Sequence, residues 1–282
     1  MMNLISNAFL VVRPLEKRNK LIDEYNLIIE GLRSKGINII ELTSKEHLLS
    51  TKYLCSGHWI SSLGKGVVVV YPMSSLGRQQ ERNDLVFDLL GRKGFKINDV
   101  VDFTEAENEG FFLEGTGSIV LDRLNCVAYV SVSKCSDEEL FVEFCEELEF
   151  TPVIFRSSYS DGLEVLHTSR ILTVTESFSI VASCMVKDKK ERKMLSLQLK
   201  KSGRDLIYIS EQQVENYVTD IKQVKNDKGD SFVVMSKSIF DSLYTDQKNT
   251  LGKHGEFLVF DCREIERQGK HSIGSILNDI FS

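Results

Sequence analysis

Lys187, Lys189, Lys190, Arg192 and Lys193 place five cations within seven positions, and Lys200, Lys201 and Arg204 follow closely. Such a cluster is either a solvated helix face or a docking patch for phosphates or an acidic partner. A second basic stretch, Arg13–Lys20, holds four Lys or Arg. Gly115-Thr116-Gly117 is not a dinucleotide loop, because no third glycine follows at the required place and no helix pattern opens there. His58 stands beside Trp59 as a surface or pocket-lip pair, with nothing nearby to complete a metal site. The six cysteines (Cys55, Cys126, Cys135, Cys145, Cys184 and Cys262) show neither CxxC nor CxxH spacing. Several lie in apolar surroundings, where a free cysteine behaves as a small core residue. The expected setting is therefore reducing and cytoplasmic, with no metal, no cofactor and no disulfide framework.

The elements that position these residues are those of one soluble domain spanning 1–282. The chain is 42% hydrophobic, enough for a sizeable core, and only Pro14, Pro72 and Pro152 are prolines. No Pro-, Gly- or Ser-rich linker divides it. A net charge of −6 argues against a globally basic nucleic-acid surface, so DNA is not an expected partner. No apolar run reaches the roughly 18–20 residues of a membrane helix, and Met1–Val12 reads as a first core strand rather than a signal peptide.

Strand-like runs rich in Val, Ile, Phe and Tyr recur at Asn7–Val12, Ile37–Leu42, Val67–Tyr71, Ser118–Leu121, Val127–Val132 and Pro152–Phe155. They continue at Leu163–His167, Ile171–Val174, Ser179–Ala182, Asp205–Ile209, Phe232–Met235 and Phe257–Phe260. Helical spacing marks Glu16–Lys35, closed by Gly36, and Asp137–Glu149, opened by an Asp cap. Shorter helices are expected at Lys187–Lys201, Glu211–Val218, Ser236–Leu243 and Ile273–Phe281. Strands in twos and threes separated by single helices fit neither a plain doubly wound sheet nor a sandwich. A repeat of about 50–60 residues suits a ring of αβ units.

One segment is far more specific than periodicity. Leu113-Glu114-Gly115-Thr116-Gly117-Ser118-Ile119-Val120-Leu121-Asp122-Arg123 resembles the LEGTGS-x-VLDR signature of the citrulline- and arginine-utilising hydrolases. These belong to the amidinotransferase superfamily, with arginine deiminases and dimethylarginine dimethylaminohydrolases as relatives. Other landmarks follow in the family's order: Tyr71-Pro72-Met73 with Arg78, Glu81 and Arg82; Ala128-Tyr129 with Ser131 and Ser133; and Asp161-Gly162 with His167-Thr168. Ile209-Ser210 with Gln213 and Tyr217, Val234-Met235-Ser236, and Ile265-Glu266 with Gly269 and Ser272 complete the set. The resemblance covers nearly the whole chain and implies a five-bladed α/β propeller of the pentein type.

In that family a thiolate attacks the central carbon of a planar, cationic guanidinium held by carboxylates, and a histidine moves the protons. By resemblance Glu114 would bind the guanidinium, His167 would be the acid/base, and Asp161 would lie near a second carboxylate position. The nucleophile should come just before the final helix-like run. Aligning on Leu277–Phe281 puts Ser275 there, and the nearest cysteine is Cys262. Lys270 and His271 replace glycines of the approach, Cys55-Ser56-Gly57-His58-Trp59 replaces an FPNNW-type loop, and Thr219-Asp220 replaces a GN pair. No acidic residue stands in Ser50-Thr51-Lys52, where the family has one.

A serine is a weak substitute for a thiol in attack on a resonance-stabilised guanidinium. The expectation is therefore a non-catalytic binding or regulatory factor for a protein or ribonucleoprotein partner, the ribosome first, with Lys187–Lys193 as the contact. On that expectation Glu114, His167 and Ser275 are vestigial. The alternatives are a residual amidinohydrolase acting on an arginine-like guanidino substrate, or a guanidino or amino-acid sensor.

Overall fold

The computed structural model describes residues 8–13, 20–43 and 55–281. Asn7 of the first expected strand, residues 16–19 of the first expected helix, Lys17 and Arg18, and Ser50–Lys52 lie outside the described residues.

Among the described residues, short strands form five sheets of three with one repeated wiring. The strands of the first sheet met in chain order, β1 (Ala8–Arg13) and β2 (Ile39–Thr43), are parallel. In the next, β3 (Ile60–Gly64) runs antiparallel to β4 (Val67–Val70), which runs parallel to β5 (Asp99–Asp102). The same order holds for β6 (Ile119–Asp122), β7 (Val127–Ser131) and β8 (Thr151–Phe155). It holds again for β9 (Leu172–Val174), β10 (Phe178–Val181) and β11 (Asp205–Tyr208), and for β12 (Lys222–Lys225), β13 (Ser231–Ser236) and β14 (Glu256–Phe260). The first sheet is completed from the other end of the chain, where β15 (Asn278–Ile280) pairs antiparallel with β1, Ala8 opposite Ile280.

A parallel pair cannot be joined by a tight turn, so each blade carries a helical crossover before its third strand. These are Lys20–Ser34, Leu85–Arg92, Glu138–Glu147, Lys189–Lys201, and the pair Lys237–Ser242 and Thr245–Leu251. Their local signals are ordinary. Asp137 accepts from the Leu140 N–H at 3.0 Å and Asp188 accepts from Lys190 and Glu191, each satisfying helix-end donors. The Lys20–Ser34 helix buries Leu21, Tyr25, Ile28, Ile29 and Leu32 in one cluster with Leu258 and Ile265. Each such large apolar side chain contributes roughly 1.5–3 kcal/mol.

A one-turn helix precedes the inner strand of every blade: Ser56–His58, Gly115–Ser118, Thr168–Arg170, Val218–Asp220 and Ile273–Ile276. Each packs on the next and the last packs on the first, which closes the five blades around an axis. The result is a five-bladed α/β propeller. The residues capping these turns are Cys55, Glu114, His167, Tyr217 and Ser272, one at the equivalent position in each blade.

Four strands go beyond the expected set: Ile60–Gly64, Asp99–Asp102, Lys222–Lys225 and Asn278–Ile280. The last lies within the expected Ile273–Phe281 helix, which stops at Ile276. Leu163–His167 is a loop rather than a strand, joined to Ser158 by a single bridge at Glu164.

Candidate functional site

Glu114 is fully buried at the start of the Gly115–Ser118 turn. Its Oε1 accepts from the Ser74 N–H at 3.0 Å and from the Ser74 hydroxyl at 2.5 Å. Its Oε2 lies 2.8 Å from His167 Nε2 and 3.5 Å from Arg78 Nη1. Burial pushes the carboxyl up, but the His167 hydrogen bond and the charge of Arg78 outweigh it and hold the group well below the usual carboxylate range. Glu114 is therefore an ionised carboxylate in the interior. His167 comes from the next blade, at the cap of the Thr168–Arg170 turn, and the Thr168 hydroxyl fixes that turn by donating to Ser118 O at 2.5 Å.

Two glycines let these turns meet. Gly115 has φ +40°, and a Cβ there would fall 2.2 Å from Gly57 O and 2.9 Å from His58 O. A Cβ at Gly117 would fall 2.8 Å from His58 Nε2 and 3.1 Å from His167 Cδ2. The signature glycines thus serve close approach of three blades, and a one-turn helix, Gly115–Ser118, opens at them where none was expected.

His58 is part of the site rather than a lip residue. Its ring centroid is 5.0 Å from that of His167 and Arg78 Nη2 donates to its Nδ1, which requires a neutral imidazole. Burial, then the charge of Arg78, holds its pKa well below the ordinary histidine value. Arg78 Nε lies 3.2 Å from Glu81 Oε1, and its Nη1 is ion-paired with Glu114. Glu81 is buried, and burial pushes its carboxyl up to about 8.

A thiol completes the cluster. Cys135, on the loop after β7, is buried, and its Sγ lies 3.6 Å from the Ser74 hydroxyl that donates to Glu114. Burial, then the negative charge of Glu114, raises the thiol above its ordinary value. The donor atoms of Glu114, Cys135 and His167 all lie within 4.8 Å of one another, a donor set of the kind zinc takes. The Arg78 cation on the same carboxylate opposes a metal there.

Residues 3–282 match the family described as N,N dimethylarginine dimethylhydrolase, eukaryotic. The chain belongs to that family. No curated protein sequence matches it. Among solved structures, apo ArgZ, an arginine dihydrolase from the ornithine–ammonia cycle in Cyanobacteria, superposes with a TM-score of 0.73 at 11% identity. That match covers 98% of this chain and 40% of ArgZ. The substrate-bound N-terminal domain of ArgZ, carrying a cysteine-to-serine mutation, gives 0.73 at 12% identity and covers 98% of both chains. A dimethylarginine dimethylaminohydrolase adduct with 4-chloro-2-hydroxymethylpyridine gives 0.69 at 12%, covering 98% of this chain and 100% of that one. At these identities the structural likeness establishes the fold.

These findings correct the expectation of a ribosome-directed, non-catalytic binding factor. The family matched along the whole chain is a hydrolase family, and the similar folds are those of hydrolases. The pocket also contains a thiol beside Glu114 and His167. Cys135 meets Glu114 within one blade, where the Glu114 N–H donates to Cys135 O at 3.3 Å, and His167 joins them from the next blade.

The other expected residues fall elsewhere. The Ser275 hydroxyl donates to Asp220 Oδ1 at 2.5 Å, and the Ser272 N–H donates to Asp220 Oδ2 at 2.5 Å. Ser275 is thus anchored to the preceding blade and not hydrogen-bonded to His167. Asp161 sits in an exposed turn, accepting from the Leu163 N–H at 3.0 Å. Lys187, Lys189, Lys190 and Lys193 are exposed and Arg192 is half-buried around the outer helix Lys189–Lys201, away from the ring of turns. No helix among the described residues is long and apolar enough to cross a membrane.

Proposed function

We propose that this chain is an amidinohydrolase acting on arginine-like guanidino compounds, N-methylated arginines included. What carries the reading is the buried, ionised Glu114 with His167 Nε2 at 2.8 Å and the Cys135 thiol in the same cluster. It is supported by membership of a dimethylarginine hydrolase family. Glu114 already holds a guanidinium, that of Arg78, so the carboxylate suits this planar cation. A substrate guanidinium would take over that contact.

Cys135 is the proposed nucleophile. Its thiol is neutral at rest, since burial and Glu114 both disfavour the thiolate. A substrate cation beside it reverses the local charge and lowers the thiol pKa. His167 takes the thiol proton as sulfur adds to the guanidinium carbon. The carbon–nitrogen bond to the outer amine then breaks, and His167 returns the proton to the departing amine. Water adds next to the remaining thiouronium carbon, the carbon–sulfur bond breaks, and a ureido product leaves.

A second reading is a guanidino sensor that binds without turnover. It is favoured by Arg78 on Glu114 and by the raised thiol pKa. Mass-spectrometric detection of citrulline from arginine, monomethylarginine and dimethylarginine, with thermal shifts in parallel, separates the two. Citrulline lost by at least about 100-fold in Cys135→Ser and His167→Gln supports the enzyme. A thermal shift without citrulline supports the sensor, and neither signal with any of the three compounds refutes both.

A further inference from the structure

The inner strands of the five blades enclose a cavity of about 250 Å³ running from the ring of turns to the opposite end of the axis. Gly115 and Thr116 line it whereas Glu114, His167 and Cys135 do not, so it is distinct from the Glu114–His167 cluster. Its polar wall is basic in a chain of net charge −6: Arg123, Arg204, Lys222 and Lys225 line it against the carboxylates of Glu176 and Asp279.

Three of these cations have carboxylate partners. Arg204 holds Asp122 in a fork, at 2.5 and 2.7 Å. Lys222 pairs with Asp279 at 2.5 Å and Lys225 with Glu176 at 2.5 Å. Arg123 has no carboxylate within ion-pair distance among the described residues. Its guanidinium lies 4.2 Å over the Phe281 ring, Nη2 reaches Ser62 O at 3.3 Å, and the buried Nη1 has no acceptor among the described residues. The carboxylate of Asp279 acts on Arg123 only from beyond ion-pair distance and is paired with Lys222, and a desolvated guanidinium so incompletely matched is costly; this one lines a cavity.

We infer that this end of the channel is a binding site for a small monocarboxylate, held by the Arg123 guanidinium. With the other three cations each matched by a carboxylate, one negative charge balances the wall. A planar carboxylate fits a guanidinium edge whose face is stacked on a ring. The volume limits the ligand to one of amino-acid or keto-acid size, below that of ordinary drug-like pockets.

Calorimetric titration of the full chain with propionate, propionamide and inorganic phosphate tests this. Propionate should bind with a millimolar Kd and propionamide should not, and Arg123→Met should weaken propionate at least about tenfold. Lys200→Met, on the outer surface, should leave binding unchanged. Arg123→Lys keeps a charge without the fork, and should bind more weakly than wild type but more tightly than Arg123→Met. Arg123→Met should also unfold at no lower temperature than wild type without ligand, since it removes a buried charge that no carboxylate contacts at ion-pair distance; it then remains testable as a folded protein. No propionate binding up to about 50 mM, binding indifferent to Arg123, or Arg123-dependent binding of phosphate alone overturns the assignment.

Discussion

The two signature glycines make a graded prediction, because the same added methyl meets an immovable neighbour at one position and a movable one at the other. At Gly115 alanine must adopt φ +40°, which costs on the order of 1 kcal/mol for an L-residue. Its Cβ would also stand 2.2 Å from Gly57 O and 2.9 Å from His58 O, both main-chain atoms of another blade. Relief requires shifting that blade by about an ångström, within the overpacking range of roughly 1–3 kcal/mol. Gly115→Ala should therefore lose about 2–4 kcal/mol in all, a large part of a typical total of about 5–15 kcal/mol. At Gly117 the nearest atoms, at 2.8 and 2.9 Å, belong to the His58 ring, which can tilt. Gly117→Ala should lose only about 1–2 kcal/mol in stability. It should nevertheless separate His58 from His167 and reduce any guanidino-ligand shift. Urea unfolding monitored by circular dichroism gives both values. If Gly115→Ala costs less than Gly117→Ala, the close approach of the blades described above is wrong.

Asp122→Asn strands the buried Arg204 guanidinium and should cost on the order of 3–5 kcal/mol; Asp122→Asn with Arg204→Met should recover much of it in a double-mutant cycle. Glu81 has a raised folded-state pKa, so its contribution is complete below pH 4.5 and is lost as pH rises through about 8. Glu81→Gln should accordingly be most stable relative to wild type above pH 8, and an unchanged pH profile of melting temperature would count against a neutral Glu81. Lys270 adopts φ +59°, so Lys270→Gly should stabilise by about 0.5–1 kcal/mol, and destabilisation in urea would show that its side chain matters more than its backbone.

Much of the fold was legible because the central strand of each blade is buried and apolar, as in Val127–Ser131 and Ser231–Ser236. The inner strands were harder to read. Lys222–Lys225 reads Lys-Gln-Val-Lys, with three polar residues lining the channel, and it resembles a loop in composition. Asn278–Ile280 is a strand only because β1 offers it an edge, and pairing across the whole chain leaves no local trace. Conversely, Leu163–His167 has strand composition but is drawn out of any sheet to deliver His167 to the ring. Glu114 and His167 were readable through the family signature, whereas Cys135, set beside Glu114 by the folding of one blade, and His58, brought in from another blade, were not. Ser275 was placed by alignment on Leu277–Phe281, and the structure commits its hydroxyl to Asp220.

The pairing of β15 with β1 also bears on how this protein comes to be folded. Four blades are assembled from contiguous stretches of chain and can form as those stretches leave the ribosome, but β1 is synthesised long before the strand that covers it. Until then β1, apolar along most of its length, presents an open row of N–H and C=O groups that any other extended segment can occupy. The stage most exposed to misassembly is therefore the interval before the last strand is released, and a nascent chain stalled short of Asn278 is the species most in need of a chaperone.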